Sequence, residues 1–206
     1  TPGDVSLASL RPATLPATVR KELELLDLSG RLRVRTFTYS FATGKVEAEV
    51  RLNGIAMNLP VTPTTGEGGQ GPLRMQGVSG TIVLRADRIR ADLRGTLGDM
   101  PWTVRLAYEG PSAEAAFTCD LETDGFHVSK RPDLLPFAPP IVKERLDGFS
   151  QPTATVSSRV RITREAPTPT GPSPIHIDGT LEFKDGVAAF IDFPYRFENL
   201  SGSVRF

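Results

Sequence analysis

Asp120, Glu122 and Asp124 recur at every second position, with His127 close by. Strand side chains alternate between faces, so the three carboxylates share one face. Hard cations take oxygen ligands, which makes such a face a candidate for a weak Ca²⁺ site. No glycine-pinned ligand loop accompanies these residues, and they read as a solvated outer face with no metal site assigned. His127 and His176 lack the HExxH context of a metal hydrolase. A G-x-S-x-G elbow is absent, although the members of a catalytic triad can lie far apart in a chain. The run Gly66-Glu67-Gly68-Gly69-Gln70-Gly71 has no strand before it, no helix after it and no phosphate-binding Lys, so it reads as a loop. Cys119 is the single cysteine and alternates with Phe117 and Leu121, as a small hydrophobe would. No catalytic residue or cofactor is assigned, and the chain is read as not an enzyme.

Two basic strips remain, Arg31, Arg33 and Arg35, then Arg85, Arg88, Arg90 and Arg94. Guanidinium groups form charge-assisted hydrogen bonds with phosphates, so the strips could meet lipid headgroups at a rim. The alternative is a solvated sheet face whose arginines pair with neighbouring acids. Overall charge is balanced, 24 Lys+Arg against 24 Asp+Glu, which removes the electrostatic footprint of a nucleic-acid binder. The apolar share, 39%, is too high for disorder. No stretch approaches the ~20 apolar residues of a membrane-spanning helix. The chain opens on Thr1 without a signal segment, so any anchor is expected in sequence beyond it.

The elements that position these residues are mostly strands. Val46, Ala48, Val50 and Leu52 alternate with charged residues, and further runs place Ile82, Leu84 and Ala86 on one face, then Ile89, Ala91 and Leu93. Trp102, Val104, Leu106 and Tyr108 follow, and later Ala154, Val156, Val160 and Ile162. Ile175, Ile177, Leu181 and Phe183, then Val187, Ala189, Ile191 and Phe193, complete the series. About ten strands result, most of them joined at glycines: Gly44, Gly54, Gly80, Gly98, Gly110 and Gly186. One solvated face and short connections imply an antiparallel meander. The apolar parity changes between Leu32 and Val34 and the later Phe37, Tyr39 and Phe41, which predicts a bulge near Thr36. Two amphipathic helices are expected, about 15–26 (Val19, Leu23, Leu26) and about 139–148 (Val142, Leu146, Phe149).

The helices belong to an internal repeat. Pro16 to Leu23 aligns with Pro139 to Leu146, and Val78-Ser79-Gly80-Thr81-Ile82 with Leu200-Ser201-Gly202-Ser203-Val204. The offset is about 122 residues throughout. Two Pro/Gly-rich inserts, 61–72 and 165–174, read as surface loops. The units are 1–124 and 125–206, the second incomplete, so the chain reads as a segment of a longer array.

The run Ile177-Asp178-Gly179-Thr180-Leu181-Glu182-Phe183-Lys184-Asp185-Gly186-Val187, continued by Phe193-Pro194-Tyr195-Arg196-Phe197-Glu198-Asn199-Leu200-Ser201-Gly202-Ser203-Val204, resembles a segment recurrent in AsmA-like proteins. Leu28-Ser29-Gly30-Arg31-Leu32 and Gly95-Thr96-Leu97-Gly98 look similar. The motifs are turn-and-strand grammar and are sharpest over 177–206. The resemblance implies a mainly β fold, a curved and twisted U-shaped antiparallel sheet with an apolar concave face. It further implies phospholipid acyl chains as ligand, transport between inner and outer membranes, and inner- and outer-membrane envelope proteins as partners. The location implied is the periplasmic part of an inner-membrane-anchored protein of the bacterial cell envelope. The groove lining would be Val46, Ala48, Val50 and Leu52; Ile82, Leu84, Ile89 and Leu93; Trp102, Val104 and Leu106; Phe117 and Leu121; Val156 and Val160; Ile177, Leu181, Val187 and Ile191; and Val204. The same alternation would also build a closed β-sandwich, a structural or adhesive envelope module without a lipid conduit.

Overall fold

In the computed structural model the described residues are 4–6, 27–58, 74–110, 114–127, 144, 148–168, 171 and 173–206. They form β1 (Asp4–Ser6), β2 (Ser29–Ser40), β3 (Lys45–Asn58), β4 (Arg74–Arg85) and β5 (Arg88–Leu97), then β6 (Met100–Glu109), β7 (Ala116–His127), β8 (Phe149–Arg164), β9 (Ile175–Phe190) and β10 (Phe193–Arg205). Every strand pairs antiparallel with its neighbours in sequence, and the order runs from β1 to β10 without a crossover. The result is one curled, unclosed sheet, a mainly β meander. The two helices expected over 15–26 and 139–148 are not borne out. Their residues, apart from Glu144 and Gly148, lie outside the described ones, and no helical element stands among those described. Loop 61–72 likewise lies outside them. The boundary expected at 124/125 falls inside β7.

Tight turns set the register. Ser40 O accepts from the amides of Thr43 and Gly44 at 3.3 and 2.8 Å, closing the β2–β3 hairpin. Gly98, at φ 64°, opens the two-residue turn between the paired Leu97 and Met100. The bulge expected near Thr36 is present, as a register shift between Val34 and Thr36. Gly54, Gly80 and Gly186, expected at connections, instead lie within β3, β4 and β9. Gly54 sits at the shift between Leu52 and Ile55, and its freed amide donates to Ser79 Oγ at 3.2 Å. Gly125 repeats the device in β7, donating to Ser157 Oγ at 3.3 Å. Bulges increase right-handed twist and bend a strand, so their recurrence in β2, β3, β7 and β9–β10 curls the sheet.

Among the described residues one part of the sheet is closed over. Ile55, Val78, Leu97, Met100 and Trp102 bury against each other, with Leu28, Met75 and Phe126 packed around them. Gly95 makes room here: a Cβ on it would stand 2.8 Å from Trp102 Cζ2, so the indole lies directly on its cross-strand glycine. Phe183 over Gly202 repeats this pairing. Among the described residues Val78 is the largest fully buried side chain, and most other apolar residues of the sheet are only half-buried.

Candidate functional site

Residues directly opposite in an antiparallel ladder share a face, so the register identifies each face without further assumption. Val34, Val50, Ile82, Ala91, Leu106, Cys119, Ile162 and Ile177 are successive partners from β2 to β9. This row crosses eight strands without a polar side chain. One step away runs Leu32, Leu52, Gly80, Leu93, Val104, Leu121, Val160 and Gly179. The row on the other side is Phe37, Ala48, Leu84, Ile89, Tyr108, Phe117, Arg164 and Ile175. Three adjacent rows therefore form a nearly uninterrupted apolar surface.

Most of the residues read from sequence fall on this face, Val156, Leu181 and Val204 included, through the pairs Val156–Phe183 and Leu181–Val204. Trp102, opposite Thr123, joins it at the closed end. Val46 lies on it too, opposite Tyr39 and 37% exposed. Val187 and Ile191 do not belong to it. Asp185 takes a positive φ of 52° at a bulge in β9, and strand parity flips beyond it. Val187 then pairs with Thr153, while Gly186 and Ala188 turn to the apolar side and Ala188 is buried. Ile191 lies in the turn after β9, 63% exposed.

Arg164 is the one charged member of the three rows, a residue that sequence periodicity missed. Its Nε and Nη2 donate to Ala115 O at 3.1 and 2.8 Å, and its guanidinium lies 5.1 Å from the Phe117 ring centroid. It staples the end of β8 to the β6–β7 connection, with Tyr108 Oη a further 3.4 Å partner. At the closed end Thr123 and Ser158 pair their hydroxyls at 2.8 Å. Nearby, Trp102 Nε1 is buried with no hydrogen-bond partner.

The reverse face is ionic. Its central row reads Arg33, Arg51, Thr81, Asp92, Arg105, Asp120, Arg161 and Asp178. The acidic trio lies here, but the Asp120 and Asp124 carboxylates turn to separate partners on β8 instead of converging. Asp120 accepts from Arg161 Nε and Nη2 at 2.6 and 3.2 Å, Asp124 from Ser157 Oγ at 2.7 Å, and Glu122 stands opposite Arg159. The hydrogen bond from Arg161 holds the Asp120 carboxyl below its ordinary range, with the charges of Arg161 and Arg105 adding to it. Among the described residues no group of three His, Cys, Asp or Glu is placed to hold a metal. His127 Nδ1 lies 3.4 Å from Thr155 Oγ1, and His176 stands opposite Thr163. In the basic strips, Arg35 pairs with Glu49, Arg85 with Glu47 and Arg88 with Glu109, at 3.2, 3.0 and 2.6 Å. Cys119 sits on the apolar row, where burial first and the Asp120 charge second push its thiol pKa up.

No family model, curated protein or solved structure matches the chain. Among the described residues no helix is long and apolar enough to cross a membrane.

Proposed function

We propose that the apolar face of the curled sheet is a groove for phospholipid acyl chains. The chain would act as one segment of a conduit between the inner and outer membranes of a bacterial envelope. The observation that carries this reading is the apolar row from Val34 to Ile177, lying on one face of a sheet that does not close. A protein that uses such a face only as core covers it with a second layer. Here large apolar side chains stay open, Phe37 at 65%, Ile175 at 54% and Ile177 at 53%. A contiguous exposed apolar surface marks an interaction site.

Acyl chains suit it because they need apolar area and no oriented donors, and each buried methylene contributes roughly 0.8 kcal/mol. Ten strands at ~4.8 Å spacing give a ladder of roughly 45 Å. That length shelters a lipid but is no more than the ~40–45 Å of one bilayer, so this segment would be one link of a longer path. The AsmA-like resemblance of 177–206 points to the same activity, and the sheet order supports a groove over a closed sandwich.

The test is phospholipid in the purified chain, by mass spectrometry of an organic extract, against variants Val50→Asp, Leu84→Asp and Val104→Asp. Lipid should accompany the parent chain and be lost from folded variants. Folded variants that keep the parent's lipid content would remove the proposal.

A further inference from the structure

We propose that the ionic face carries a separate binding site for phosphate-bearing ligands, in a depression formed by β2 to β5. The depression, about 630 Å³, is lined by Arg33, Arg51 and Arg94 with Ser79, Thr81 and Asp92. Farther along the same row, from β6 to β9, cations and anions alternate across strands: Arg105, Asp120, Arg161 and Asp178. At β2–β3 the alternation fails. Arg33, which stands opposite Asp4 on its other side and holds a contact of its own, is directly opposite Arg51, whose next partner is the neutral Thr81. Like charges directly opposite one another destabilise a ladder.

Arg94 adds a third cation from β5, opposite Ser79, and Asp92 is the one carboxylate among the described lining residues. Neither Arg51 nor Arg94 has an ion-pair partner among the described residues. Arg35, Arg85, Arg88 and Arg161, on the same face, each hold a carboxylate. An anion bridging Arg51 and Arg94 supplies the counter-charge that neither finds among the described residues. Two strand spacings separate β3 from β5, about 10 Å, a span that a phosphoryl or pyrophosphoryl group with its waters can bridge. Guanidinium forks match phosphate oxygens bidentately, and the Thr81 hydroxyl supplies a neutral donor on the floor.

The site lies on the face opposite the acyl groove, so it stands whether or not lipid occupies that groove. Its ligand is either a free phosphorylated anion or the phosphate of a lipid headgroup. Calorimetric titration of the full 206-residue chain with pyrophosphate at low ionic strength tests the first. Flotation with phosphatidylcholine vesicles, with and without phosphatidic acid, tests the second. Saturable pyrophosphate binding is expected, weakened about tenfold by Arg51→Gln and by Arg94→Gln, as the loss of a charge-assisted bond implies. Arg159→Gln, on the same face but on β8, should change it about twofold at most. Flotation only with phosphatidic acid, sensitive to Arg51→Gln, identifies a headgroup. Pyrophosphate binding without flotation identifies a free anion. Either outcome supports the site. Absence of both, or equal weakening by Arg159→Gln, overturns it.

Discussion

Placing Glu at Ile177 and, separately, at Val78 compares the open part of the apolar face with its closed end. Ile177 ends the central row on β9 and is 53% exposed, whereas Val78 in β4 is 1% exposed. Full burial of an aliphatic side chain contributes about 1.5–3 kcal/mol, so half-burial of Ile177 contributes about 1 kcal/mol. A Glu there keeps its carboxylate in water. The variant should lose about 1 kcal/mol, a small part of the ~5–15 kcal/mol that holds a domain together. Val78→Glu forfeits a whole side chain and places an ionised group among Ile55, Leu97, Met100 and Trp102. Desolvation then adds several kcal/mol, enough to unfold the chain or open that end. Urea denaturation followed by circular dichroism reads both, with the parent's m-value retained in Ile177→Glu. Lipid in the organic extract should fall in the same variant. Losses of similar size at the two sites would refute the reasoning, because they would mean that a second layer covers Ile177.

Four further outcomes follow from the same geometry. Gly80→Ala should cost more than about 3 kcal/mol, since φ is 143° and the Asp92 carbonyl oxygen occupies the Cβ position. Gly44→Ala, with φ 64° and open space around it, should cost about 1 kcal/mol, a Tm shift of about 2–4 °C. Arg164→Lys should cost about 1–2 kcal/mol by thermal melting, because an ammonium cannot reproduce both bonds to Ala115 O and stacks less well on Phe117. The Arg161–Asp120 pair should stabilise the fold only where Asp120 is ionised. A carboxyl whose folded pKa is depressed contributes above its unfolded pKa of about 3.9 and ceases to contribute as pH falls through the folded value. Arg161→Gln should raise the Asp120 midpoint in an NMR titration. It should destabilise the chain only slightly near pH 6, the guanidinium being exposed to solvent, and not at all once the carboxyl is protonated.

Face membership was legible in the sequence because it depends only on the pleat. Val46, Ala48 and Val50 alternate with Glu47, Glu49 and Arg51, and that period of two survives any arrangement of strands. The bulge near Thr36 was legible for the same reason, as a change of parity. Val187 and Ile191 were misplaced because the positive φ of Asp185 leaves no mark in an apolar–polar pattern. The β9 run therefore appears continuous in sequence across a flip that the backbone makes. Gly80 and Gly95 read as turn punctuation or plain strand, whereas one accommodates a backbone carbonyl and the other an indole ring. Both contacts come from the neighbouring strand, outside the local window.

The sequence by itself determined that this chain is built of two-faced strands joined by short turns, one face apolar and the other ionic. Local alternation and turn chemistry suffice for that. Only the tertiary structure decided that the strands stack in chain order into an unclosed sheet, that Asp120 meets Arg161, and that Arg33 meets Arg51. Register is set by matching whole strands at once, and closure by the twist their bulges accumulate. Both are sums over the sheet, and no single window of residues contains them.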